Sequence, residues 1–62
     1  MTISEKIKTL AEEKGLKMKF IIKATGMSSA GFYPMMKRDN YSVKVLLKIA
    51  DALGVPITDF FK

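Results

Sequence analysis

Apolar side chains recur along this chain in steps of three and four, the spacing that places them on one face of an α-helix. No segment alternates with the period of two that a half-buried strand requires. Ile3, Ile7, Leu10 and Ala11 keep the helical spacing among Glu, Lys and Thr. Thr2 followed by Glu5 is a capping-box pair, which satisfies two orphan N–H groups at a helix start. Gly15 supplies the stop, so the pattern predicts a helix from Ile3 to Lys14. Leu16, Met18, Ile21 and Ile22 form a shorter run ended by Gly26, which predicts a second helix over about 17–24. Its start is poorly capped, because Lys17 is not a capping type. Residues 25–28 then read as a turn, and Ser28 caps a third helix over about 29–37. Asn40, Tyr41 and Ser42 form a loop, with Ser42 capping a fourth helix. There Val43, Leu46, Leu47, Ile49, Ala50 and Leu53 make a wide apolar stripe closed by Gly54. Pro56, Thr58 and Asp59 each suit the start of a last turn carrying Ile57, Phe60 and Phe61. The expected fold is all-α: one compact domain over residues 1–62, of four to five helices, with Leu10, Ile21, Phe32, Leu46, Ile49 and Leu53 in its core.

Pro34 sits badly in this scheme. In a helix interior proline lacks the N–H donor and crowds the carbonyl four residues earlier, at a cost of ~3 kcal/mol or more. With Ser28 as the cap, that carbonyl belongs to Ala30. The third helix is expected to be kinked or divided there, with Met35 and Met36 docking into the core as a second short turn. A simpler arrangement has Pro34 begin that turn, with Tyr33 as its cap. Either is tolerable if packing of Phe32 and Met35, rather than helix length, holds the segment.

Composition narrows the chemistry. Sixty-two residues bury only about 60% of the unfolded surface, so every apolar face must be used. There are no cysteines and no histidines, which removes disulfides, thiolate zinc sites and imidazole chemistry. No apolar run approaches the ~20 residues of a membrane span, and the start of the chain does not read as a signal peptide. A cytoplasmic protein without cofactor or metal is expected. Glu12 and Glu13 are adjacent, and neighbours on a helix point about 100° apart, so they form no two-carboxylate catalytic site. Nothing else pairs a nucleophile with a base, and no enzyme is expected. The methionines at 27, 35 and 36 read as core filling rather than a pliable binding groove.

Charge is the more informative property. The net charge of +5 lies entirely in residues 1–38, which hold eight basic and three acidic side chains, while residues 39–62 hold three of each. From Lys14 to Arg38 there are six basic residues and no acid. A basic stripe confined to one part of a small domain is the footprint of a polyanion binder, although a solvated lysine-rich face gives the same pattern.

Two short helices joined by a tight turn with a central glycine are a helix-turn-helix arrangement. Here the chain resembles the Cro/lambda-repressor type of helix-turn-helix DNA-binding domains (the xenobiotic-response-element type) of phage and bacterial regulators. "ISEKIKTLAEEKGL" is similar to the first helix of that family, "KATGMS" to the helix-turn-helix junction, "LLKIADALGV" to the fourth helix and "PITDFF" to the fifth. The family usually has alanine where Ile22 stands and valine or isoleucine where Phe32 stands. Both changes add volume at one helix crossing, and Ala30 and Gly31 are expected to compensate.

The resemblance implies a lambda-repressor-like fold that binds double-stranded DNA, with the third helix in the major groove. The matching base-facing positions are Ser29, Ala30 and Tyr33, with Pro34 beside them. None offers the bidentate contact that Arg, Asn or Gln would make, so affinity should owe more to charge and DNA shape. Lys37 and Arg38 at the end of the third helix suit phosphates better than bases. The phosphate positions that follow the family pattern are Lys17 and Lys19 with Met18 at the start of the second helix and Asn40, Ser42 and Lys44 at the start of the fourth. A nucleoid-associated regulator of transcription is implied. Phe20, polar in most of the family, joins Phe60 and Phe61 as candidates for a protein contact. They motivate an alternative: an antitoxin-like or anti-repressor-like partner binder on the same scaffold. Family members often pair on DNA as two-fold dimers. Ile57, Phe60 and Phe61 either form such a homodimer contact or fold back to seal the domain's own core.

Overall fold

The computed structural model describes residues 2–61. Four helices follow in order, α1 (Ile3–Glu13), α2 (Met18–Thr25), α3 (Ser29–Arg38) and α4 (Val43–Leu53), and a 3-10 turn over Ile57–Phe61 comes last. There is no strand among the described residues. The Cα radius of gyration is 10.3 Å, against about 10.6 Å expected for a folded chain of this length.

Side-chain capping fixes where α1, α3 and α4 begin. The Thr2 hydroxyl accepts the Glu5 N–H at 3.1 Å, and the Glu5 carboxylate accepts the Thr2 N–H at 3.1 Å, which completes the capping box. Receiving that N–H holds the Glu5 carboxyl below its ordinary range. Ser28 and Ser42 accept the N–H groups of Gly31 and Val45 and so start α3 and α4. Lys17 makes no side-chain cap bond. At the other end, α1 stops one residue earlier than expected. Lys14 is its cap, Gly15 adopts the left-handed conformation at φ +67°, and the Leu16 N–H returns to the Ala11 carbonyl at 2.8 Å. This is the Schellman closure that satisfies otherwise orphaned carbonyls.

α2 runs one residue further than expected, to Thr25, which is buried. The Thr25 hydroxyl donates to the Ile22 carbonyl at 2.6 Å and accepts the Met27 N–H at 3.2 Å, so it ties the end of α2 to the turn. Gly26 follows at φ +78°.

The third helix is not divided at Pro34, nor is it replaced by a turn capped at Tyr33. α3 is continuous from Ser29 to Arg38 with Pro34 inside it. Pro34 and Ala30 are both exposed, so water can serve the Ala30 carbonyl. Phe32 and Met36, four apart on the inward face, are buried. Burying two such side chains stabilises by roughly 1.5–3 kcal/mol each, which offsets a proline penalty of ~3 kcal/mol. Met36 rather than Met35 supplies the second anchor, since Met35 is only partly buried.

The core gathers Ile7 and Ala11 of α1, Ile21 and Ile22 of α2, Phe32 and Met36 of α3, and Leu46, Ile49, Ala50 and Leu53 of α4, with Phe60. α2 packs chiefly on α4. Leu10, expected in the core, packs against it while partly exposed. Val43 and Leu47 depart further, at 65% and 52% exposed. Val43 occupies the first helical position, beyond the packed length of the inward face. Leu47 lies one step round from Leu46. The apolar stripe of α4 is wider than the core it covers. Phe60 is 3% exposed and lies on the core, with the 3-10 turn packed on α1 and α4. The fold-back arrangement therefore holds for Phe60, while Phe61 is 63% exposed.

Gly31 does not make the room expected of it. A Cβ there would meet Met27 Cε at 3.6 Å and Ser28 Oγ at 3.7 Å, ordinary contact distances. Ile22 and Phe32 are accommodated without a close approach at Gly31.

Candidate nucleic-acid interface

The outward face of α3 is built by subtraction. Phe32 and Met36 turn inward, and this leaves Ser29, Ala30, Tyr33, Pro34, Lys37 and Arg38 exposed. Ala30, Tyr33, Pro34, Lys37 and Arg38 fall on one stripe at helical spacing. Tyr33, Pro34, Lys37 and Arg38 together line a shallow concavity. The Tyr33 ring is half exposed and lies nearly parallel to the buried Phe32 ring, with centroids 6.1 Å apart and planes at 19°. Lys37 and Arg38 stand in the last turn of α3, where the helix dipole favours cations even without a ligand.

The remaining sequence-derived positions are also on the surface. Lys17 and Lys19 are exposed where α2 begins. The first helical N–H groups of α2, lacking a side-chain cap, suit an anion. Asn40 is exposed, and its backbone N–H closes α3 by donating to the Met35 carbonyl at 3.2 Å. Ser42 is occupied as the cap of α4, with its hydroxyl proton still able to donate outward. Lys44 is exposed. Of the three aromatic candidates for a protein contact, Phe20 and Phe61 are exposed and Phe60 is not. Glu12 and Glu13 are both exposed.

A polar cluster absent from the sequence reading ties this face to α1. Ser4 is buried, and its backbone N–H donates to Asp39 Oδ1 at 2.8 Å. Its hydroxyl lies 2.6 Å from the Met36 carbonyl, 2.8 Å from Asp39 Oδ1 and 2.6 Å from the Tyr41 hydroxyl. A hydroxyl has one proton to give, so Ser4 donates toward the two acceptors and Tyr41 donates to Ser4. Asp39 is also the C-cap of α3, held at φ +54°, a conformation L side chains other than Asn and Asp seldom adopt. The Ser4 N–H and then its hydroxyl hold the Asp39 carboxyl below its ordinary value of 3.8. Burial pushes the Tyr41 phenol above 10.0, so it stays a neutral donor. The pairing spans 35 residues of chain, and no local pattern announces it. Beside the cluster, a second cleft between α1 and α3 places Lys8 with Tyr33 and Lys37. Lys8 is a cation near the α3 face that the resemblance did not supply. Glu5 lines the same cleft and offsets part of its charge.

Among the described residues no group of three or more His, Cys, Asp or Glu side chains could hold a metal ion, and no helix is long and apolar enough to cross a membrane. The arrangement can present cations, hydroxyls and a small apolar surface to a polyanion. No curated protein and no solved structure matches the chain. The family model of the Cro/C1-type helix-turn-helix DNA-binding domain matches residues 6–62, a span that takes in α2, its glycine turn and the exposed α3. The chain belongs to the Cro/C1-type helix-turn-helix DNA-binding family.

Proposed function

We propose that this protein is a phage or bacterial transcriptional regulator that binds duplex DNA with α3 in the major groove, at the nucleoid. Ser29, Ala30 and Tyr33 face the bases. Lys37, Arg38, Lys17, Lys19, Lys44, Asn40 and Ser42 meet phosphates. The observation that carries this reading is the outward stripe of α3. It is exposed, ends in two cations and contains no acid, on a chain of the DNA-binding family. The reader set is weak in bidentate donors, so recognition is semi-specific and leans on charge and DNA shape.

The test is a salt titration of duplex binding. Lys37→Ala and Arg38→Ala should weaken binding to all sequences alike. Each should lower the slope of log K against log salt by about one unit, because one neutralised phosphate releases about one counterion. Unchanged slopes in both variants would remove α3 from the phosphate contact.

A second reading has its own observation. Phe20, Val43, Leu47 and Phe61 are all more than half exposed. A protein-interaction module, antitoxin-like or anti-repressor-like, would use these side chains, as would a homodimer contact through Phe61. Salt-insensitive binding to a protein, with no retention on duplex DNA, would favour it.

A further inference from the structure

We propose that the base-facing strip of α3 recognises the C5-methyl group of pyrimidines in the major groove, through a shallow apolar concavity walled by Tyr33 and Pro34. The inference rests on the DNA-binding reading above and names the chemical feature that binding selects. Ala30, Tyr33 and Pro34 stand at i, i+3 and i+4 on the outward stripe, and all three are exposed. They present a methyl group, a ring and a pyrrolidine, so carbon dominates the surface. Only the Ser29 and Tyr33 hydroxyls offer hydrogen bonds there, and neither can form a two-point contact with a base edge.

Tyr33 and Pro34 lie one helical turn before Lys37 and Arg38 in the lining of this open concavity, so its carbon surface adjoins two cations. The Tyr33 ring lies at 19° to the fully buried Phe32 ring, with centroids 6.1 Å apart, and proline has no freely rotating side chain, so the Pro34 wall is set before DNA arrives.

The major-groove edges of the base pairs differ in what they ask of such a surface. Thymine carries the only apolar protrusion among the four standard bases. Against Ala30, Pro34 and the Tyr33 ring, guanine and cytosine edges lose water without gaining a partner, while Lys37 and Arg38, one turn further along the stripe, are taken up by phosphates in the reading above. The strip therefore favours thymine and disfavours unmodified G·C pairs. 5-Methylcytosine bears the same methyl group and should be accepted for the same reason.

The experiment measures binding to four short duplexes at low salt by fluorescence anisotropy. Two are A·T-rich and identical except that thymine is replaced throughout by uracil. Two are G·C-rich and carry cytosine or 5-methylcytosine. Each methyl contacted should tighten binding about fourfold, the factor equivalent to ~0.8 kcal/mol for one buried methyl-sized group. Thymine should exceed uracil and 5-methylcytosine should exceed cytosine. Tyr33→Phe should keep both ratios, and Tyr33→Ala, confirmed as folded by circular dichroism, should bring both close to one.

Equal binding within both pairs would overturn the inference and leave DNA binding standing. So would ratios that survive Tyr33→Ala. A thymine preference without a 5-methylcytosine preference would assign the effect to duplex shape and also overturn it. Binding to none of the four duplexes would instead overturn the DNA-binding reading itself.

Discussion

Asp39 shows how much one side chain can settle. Its backbone takes the left-handed conformation that ends α3, and its carboxylate receives two hydrogen bonds from Ser4 at the start of α1. α1, α2 and α4 pass through a glycine as they end; α3 passes through an aspartate, whose side chain reaches Ser4. A sequence can show that Asp39 follows a basic helix end. It cannot show that Ser4, 35 residues away, is the partner, because that pairing exists only once the helices have docked. The same limit applies to Phe60 and Phe61: two identical neighbours, of which backbone direction alone decides that one is buried and the other exposed. Gly31 carries a residue-scale prediction. It is exposed, has no positive φ and has room for a Cβ. Gly31→Ala should therefore stabilise the protein by roughly 0.5–1 kcal/mol through helix propensity. Urea unfolding checks this, and a loss of stability would mean that Met27 cannot accept the added methyl.

The helices themselves were largely legible. Thr2 with Glu5, Ser28, Ser42 and the glycines mark boundaries through local hydrogen bonding, and α1 and α2 end within one residue of the expected positions. Two element-level features were legible only in part. Thr25 belongs to α2 because its hydroxyl bridges the helix end and the turn. α3 survives Pro34 because Phe32 and Met36 hold it from the inside. Pro34→Ala restores an N–H for the Ala30 carbonyl and should raise stability by ~1–3 kcal/mol. An unchanged unfolding midpoint would mean that water already serves that carbonyl without strain. The joint between α1 and α3 adds a pH dependence. The Asp39 carboxyl is depressed in the folded state, so the unfolded chain binds the proton more readily and stability rises with pH in that window. The joint contributes fully above the ordinary value of 3.8 and is lost as pH falls through the lower folded value. Glu5 loses its cap bond in the same acid range, below its ordinary 4.5. Asp39→Asn should therefore lose less stability than wild type between about pH 5 and about pH 2. Parallel acid profiles in thermal melts would remove Asp39 from the joint.

At the scale of the whole molecule, the positive charge and the exposed apolar side chains are the two surface features that ask for partners. The charge was legible because it is a property of composition: six cations and no acid between Lys14 and Arg38. The exposure of Val43 and Leu47 was not, since an apolar stripe on a helix does not reveal how much of its width the neighbours cover. In the proposed DNA complex the α3 face meets the duplex, and Phe20, Val43, Leu47 and Phe61 stay outside that contact. Amide chemical shifts followed by NMR during titration with duplex DNA at low salt test this assignment most directly. The expected result is shifts concentrated at Ser29, Ala30, Tyr33, Lys37 and Arg38 and at the start of α2 around Lys17 and Lys19. Shifts confined to residues around Phe20, Leu47 and Phe61, or no shifts at all, would contradict it.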